Sequence, residues 1–176
     1  MRGTNTLARK TGQITQADCY INEVDVCGRV AELDMGEIAH TEIEHKTLGQ
    51  IGVLKLPGRP VEAIEGKISF EWLDEEVSRS IMNPTKTHKI QIHSYVDIFD
   101  ADGLNSDQSH TLITHIGFQM MKTGGRTAKL GENLAQEHDI SITSFKQSVY
   151  GGETPIIEFD AWNNIYRVNG EDVWPK

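Results

Sequence analysis

Cysteine is scarce: Cys19 and Cys27 are the only two among 176 residues. Their spacing matches no zinc site. On a single strand they would stand roughly 26 Å apart at ~3.3 Å per residue, too far to bridge. Reduced, structural thiols are expected. No stretch approaches the ~20 apolar residues of a membrane-spanning helix. Residues 1–16 carry basic side chains but no apolar h-region, so no secretory leader is expected and the chain should fold in a cytosol. No G-x-S-x-G, P-loop, H-E-x-x-H or G-x-G-x-x-G is present, and Gly49-Gln50-Ile51-Gly52 is only an isolated GxxG. No carboxylate sits in an apolar setting that would tune it for acid–base chemistry. These gaps leave no catalytic constellation and move a structural or interaction role ahead of an enzyme.

Positive charge is also short. Lys and Arg number 17 against 26 Asp and Glu, a net of −9. Residues 1–12 hold Arg2, Arg9 and Lys10 with no acid, so the remaining 164 residues carry −12. An acidic body repels phosphate, which disfavours wrapping or sequence-specific DNA binding and suits a surface along which DNA slides. Hydrophobic residues at 38% and charged residues at 24% fit one folded domain of ordinary size, needing no metal or disulfide staple.

Along the chain, residues 1–18 read as an extended polar arm and residues 19–176 as one domain. Val24, Val26, Gly28 and Val30 alternate, which predicts a strand over Glu23–Asp34. Ile38 and Ile43 suggest a second extended stretch. Lys46 to Pro60 (KTLGQIGVLKLPGRP) then holds three Gly, two Pro and three basic residues without an acid. That composition predicts a long loop or flexible hairpin rather than a central strand. From Val61 to Leu73, Ile68, Phe70 and Trp72 face one way, and Lys67, Ser69 and Glu71 the other. Asp74 is placed to N-cap a short helix with Glu75 and Glu76 in its first turn, Val77 and Ile81 on one face and Pro84 beyond its end.

His88–Phe99, Thr111–Met121 and His138–Tyr150 predict long strands, followed by short ones over Pro155–Asp160, Ile165–Val168 and Asp172–Trp174. Asn169-Gly170 signals a type I′ turn. The sum is mainly β: an antiparallel sandwich or barrel with one short flanking helix, a long loop and extended termini.

Three histidine pairs, His40/His45, His88/His93 and His110/His115, are each five residues apart, with His138 alone. On a strand an odd separation sends the two rings to opposite faces, so neither member of a pair joins the other on one metal. Asp100-Ala101-Asp102-Gly103 lacks the other ligands of a calcium loop and reads as a hairpin turn. No metal and no cofactor is expected.

Three segments, taken together, resemble the major tail tube protein of contractile-tailed bacteriophages, the family that also supplies the inner tubes of phage-tail-like bacteriocins. They are Asp25–Leu73 with its Gly/Pro/basic insertion, SFKQSVYGGETPIIEFD, and AWNNIYRVNGEDVW. Tyr150, Glu153, Ile157, Glu158, Phe159, Asp160, Asn163, Val168, Asn169 and Gly170 follow the family's late pattern. In place of the family's Gly-Gly-Met run, the loop has Gly49, Gly52, Pro57, Gly58 and Pro60.

The resemblance implies a non-enzymatic subunit whose homohexameric rings stack into a hollow tube inside a contractile sheath. Baseplate and tape-measure proteins are the further partners. DNA would pass through the lumen without specific binding, and the particle would be a virion tail assembled in the bacterial cytoplasm. On this reading Arg9, Lys10, Lys46, Leu48, Ile51, Leu54, Lys55, Leu56 and Arg59 are the candidate contacts between subunits and rings. The alternatives are the inner tube of a bacteriocin or secretion device and, less in keeping with the residues, a β-barrel enzyme or metal-binding module.

Overall fold

The computed structural model describes residues 9–49, 51–72, 75–125 and 129–175. Asp74 and Leu73, the expected helix cap and strand end, lie outside them, as do residues 1–8 with Arg2. Four long strands dominate: β1 (Thr11–Ile21), β7 (His88–Asp100), β9 (His110–Thr123) and β10 (Gln136–Val149). They pair antiparallel in the order β1-β7-β9-β10. The short strands are β2 (Val24–Asp25), β3 (Val30–Asp34), β4 (His40–His45), β5 (Leu54–Val61), β6 (Ile64–Phe70), β8 (Gly103–Leu104), β11 (Ile157–Asp160), β12 (Ile165–Val168) and β13 (Glu171–Asp172). One helix, α1 (Glu75–Ile81), appears among the described residues.

The outer edge of β10 has two occupants. Gln136–Ile142 pair with β6, and Ser144–Gln147 pair with β11. Thr143 is the extra residue between them, a bulge at the point where the strand changes partners. Its carbonyl accepts the Ala161 amide at 3.0 Å. Opposite it, Gly117 admits the Ser144 side chain, which a Cβ there would meet at 2.3 Å.

The first branch curls. The path β2-β1-β7-β9-β10-β6-β3 begins and ends with strands separated by only residues 26–29, so its two ends must lie close together. The Glu71 amide donates to the Arg29 carbonyl at 2.8 Å, carrying the β3–β6 ladder up to that connection. The result is an open barrel, with no ladder joining β2 to β3 among the described residues. Its interior takes every second residue: Ile64, Ile68 and Phe70 from β6, Ile140 and Ile142 from β10, Ile116, Phe118 and Met120 from β9, and Ile90 from β7. Helix α1 adds Val77 and Ile81 to that core. His88, buried at the start of β7, meets Asn22 Nδ2 through Nδ1 and the Asn83 carbonyl through Nε2, each at 3.2 Å.

Three expectations need correction. The strand predicted over Glu23–Asp34 breaks in two, because Asp25 accepts the Cys27 amide and Gly28 takes a positive φ of 74°. This turn sets Cys19 and Cys27 on opposite sides of the β1–β2 hairpin, one buried and one exposed, both free thiols. Residues 11–18, expected in the arm, are extended but laid along β7 as part of β1. Trp72 does not continue the buried face of β6; it is half exposed beneath the Arg29 guanidinium, 5.4 Å away.

Candidate assembly interface

The Gly/Pro-rich segment forms one arm of a hairpin. β4 and β5 make a two-stranded sheet of their own, outside the large one. Pro57 and Pro60 are tolerated because β5 has a partner on one edge only. The ladder jumps from His40–Val61 to Glu42–Pro57, so Gly58, Arg59 and Pro60 bulge out opposite Thr41. Gly58 is needed there, since a Cβ would meet Thr41 Oγ1 at 2.5 Å.

Leu48 and Ile51 at the tip are fully exposed, and Ile43, Val53, Leu54 and Leu56 keep about half their surface in water. So much apolar surface on one projection is a feature that contact sites share. The basic residues are less free than the sequence suggests. Lys55 Nζ lies 2.6 Å from Glu42 Oε2, and Lys46 lies 3.3 Å from Glu44. The hydrogen bond to Glu42 raises the Lys55 pKa. The acids that balance this segment stand on β4, just before it. Arg59 sits at the base, with its guanidinium 5.9 Å from the Trp174 ring. Arg9 and Lys10 precede β1, where Lys10 donates to Gln108 Oε1 at 2.6 Å, beside the β8–β9 connection. The candidate residues therefore divide into an apolar tip, a paired basic shaft, a basal Arg59 and the separate pair before β1.

A second feature spans the large sheet. The registers align Tyr20, Gln91, His115, Lys146, Glu158, Arg167 and Asp172 in one row across β1, β7, β9, β10, β11, β12 and β13. Charges alternate along its second half: Lys146–Glu158 at 3.7 Å, Glu158–Arg167 at 3.6 Å and Arg167–Asp172 at 2.8 Å. Asp18 accepts the Tyr95 hydroxyl on the same face at 3.0 Å. Partial burial, then Lys146 and His93, hold the His115 pKa below the usual imidazole value. An open cleft of about 610 Å³ over this face is lined by Tyr20, Lys89, Gln91, His115, Lys146 and Glu158. The face offers paired charges and no nucleophile–base pair. No group of three or more metal-ligating side chains converges among the described residues.

Sequence reasoning missed Trp162, which stands 75% exposed on the β11–β12 turn. Asp160 builds that turn by accepting the Trp162 amide at 2.9 Å and the Asn163 amide at 3.1 Å. A large aromatic in so short a turn, between Asp160 and two asparagines, was the available signal. Tyr150, on the neighbouring turn, is equally exposed.

No curated protein matches the chain. Among solved structures, the sheath/tube terminator of an extracellular contractile injection system (PVC, extended state) superposes with a TM-score of 0.55 at 10% identity, covering 77% of this chain and 95% of that one. The sheath–tube complex of the PVC system gives a TM-score of 0.55 at 10% identity, covering 78% and 90%. At that identity the likeness is one of fold. The family described as phage tail tube protein FII matches residues 11–176, and the chain belongs to it.

Proposed function

We propose that the chain is the repeating subunit of a tail tube, with six copies closing a ring and rings stacking into a hollow conduit. The observation that carries this is the projecting hairpin, whose fully exposed Leu48 and Ile51 need a partner surface that this subunit does not itself provide. Residues 11–18 of β1 leave an outer edge beyond the reach of β2 and the Val26 amide, and a neighbour in the ring covers it. Lys46, Leu48, Ile51, Leu54, Lys55 and Leu56 meet the next ring, and Arg9 and Lys10 meet an acidic neighbour. The polar row from Tyr20 to Asp172 faces the lumen, where its cations are already occupied by acids and hold no phosphate. DNA therefore passes without sticking. The tube works inside a sheath, on a baseplate and around a tape-measure protein, as part of a virion tail, and catalyses nothing.

Negative-stain electron microscopy over a concentration series tests the reading. Rings or hollow tubes with sixfold end views are expected. Monodisperse 20 kDa particles, persisting after addition of baseplate seeds, would reject it. The PVC neighbours favour one second reading, an injection device whose tube carries no DNA. Nucleic acid content of purified particles separates the two.

A further inference from the structure

The hairpin touches the body at more than its two strand connections. Its pivots are residues 35–39 and 62–63, and the Glu62 amide donates to the Ala39 carbonyl at 2.8 Å between them. Ile38 and Val61 rest on the core. Above the pivots, the segment after β13 reaches the hairpin base. His40, the first residue of β4, packs its ring 5.5 Å from Tyr166 of β12 and 6.1 Å edge-on to Trp174. Tyr166 in turn meets Phe159 of β11 at 6.2 Å, and the Arg59 guanidinium of β5 lies 5.9 Å from the Trp174 ring centre. Both hairpin strands are therefore gripped by rings from the far branch of the large sheet.

We infer that Trp174 is the clasp of a latch that fixes the direction of the hairpin before assembly. It is a positioning residue for the docking surface under the proposed function, on which this inference rests. A projection joined through two short pivots samples many directions, and docking it from one direction avoids that ordering loss. The latch is made by ring packing and the Arg59 guanidinium over Trp174. The Trp174 Nε1–H and His40 Nδ1 are buried with no hydrogen-bond partner among the described residues. The ring, rather than the indole donor, should therefore carry the function.

The test uses residual dipolar couplings of backbone amides in the full chain bearing L48S/I51S, recorded at a concentration where sedimentation shows it monomeric. One alignment tensor should fit residues 40–61 together with β7, β9 and β10. W174A should shrink the hairpin couplings while leaving the barrel couplings unchanged. W174F, which keeps a ring and removes the unbonded donor, should restore the single tensor. In the otherwise wild-type chain, W174A should raise the concentration for tube assembly about tenfold. Unchanged hairpin couplings in W174A, failure of W174F to rescue, or loosened couplings with unchanged assembly would each overturn the latch. Absence of tubes from the wild-type chain would instead count against the tail-tube reading, so the two failures are distinct.

Discussion

The double substitution L48S/I51S isolates assembly from folding. Both side chains are fully exposed in the free subunit, so replacing them removes no internal contact. The folded chain should melt where wild type melts. On docking, full burial of a Leu or Ile contributes about 1.5–3 kcal/mol each. Half burial of the two together is then worth about 1.5–3 kcal/mol per subunit, or roughly 10–150-fold in the concentration at which tubes grow. Sedimentation of tubes over a dilution series reads that concentration, and circular dichroism reads the melt. Tubes forming at the wild-type concentration would refute the hairpin as the ring-to-ring contact. A lowered melting temperature would refute the claim that the tip is free of the body.

Four further outcomes follow from the geometry. Phe118→Ala empties the centre of the barrel and should destabilise it by about 3–5 kcal/mol, read as a lower denaturant midpoint. Gly36→Ala should lose more than about 1 kcal/mol, because φ is +64° and the new Cβ would lie 2.1 Å from the Glu65 carbonyl oxygen; a melt unchanged from wild type would contradict that approach. Asp160 has its pKa lowered, first by the Asn163 side chain and also by the Trp162 and Asn163 amides. Its stabilisation is present above the ordinary carboxylate pKa and lost as pH falls through the lower folded value, so a thermal melt series from pH 6 to about pH 2 should show an acid limb that is shallower in Asp160→Asn. Burial pushes Cys19 up to about 12, so alkylation at pH 8 should spare it until denaturant is added.

The strands legible in the sequence were those with one wet face and one dry one. Ile90, Ile92, Ser94, Val96 and Ile98 of β7 share a face as their alternation implied, and α1 buries Val77 and Ile81. Most of β1 was not legible, because Thr11–Asp18 is exposed or nearly so along its length. Its order comes from backbone pairing with β7, which leaves no mark on side-chain pattern. Glu23–Asp34 misled because the alternation of Val24, Val26 and Val30 survives across a turn set by Asp25 and Gly28. The hairpin announced itself through Gly, Pro and unmatched Leu. Its charge balance did not, since Glu42 and Glu44 fall just before the segment and reach Lys55 and Lys46 only once β4 and β5 pair. The ring cluster around Trp174 joins residues from opposite ends of the chain, a separation that local pattern cannot span.

The divided edge of β10 also has a mechanical meaning. Load applied to the hairpin enters the body through β3 and β6 and through the rings of Tyr166 and Trp174, and load applied to the C-terminal strands enters through β11. Both arrive on one strand, on either side of Thr143, and leave it through the ladder with β9 that runs from His138 to Val149. Forces along the strand direction load that ladder in shear, so its hydrogen bonds resist together instead of parting one after another. Neither branch can be dragged away without straining the same rail, and a thrust received at one end of the subunit is handed to the other as a push on β10.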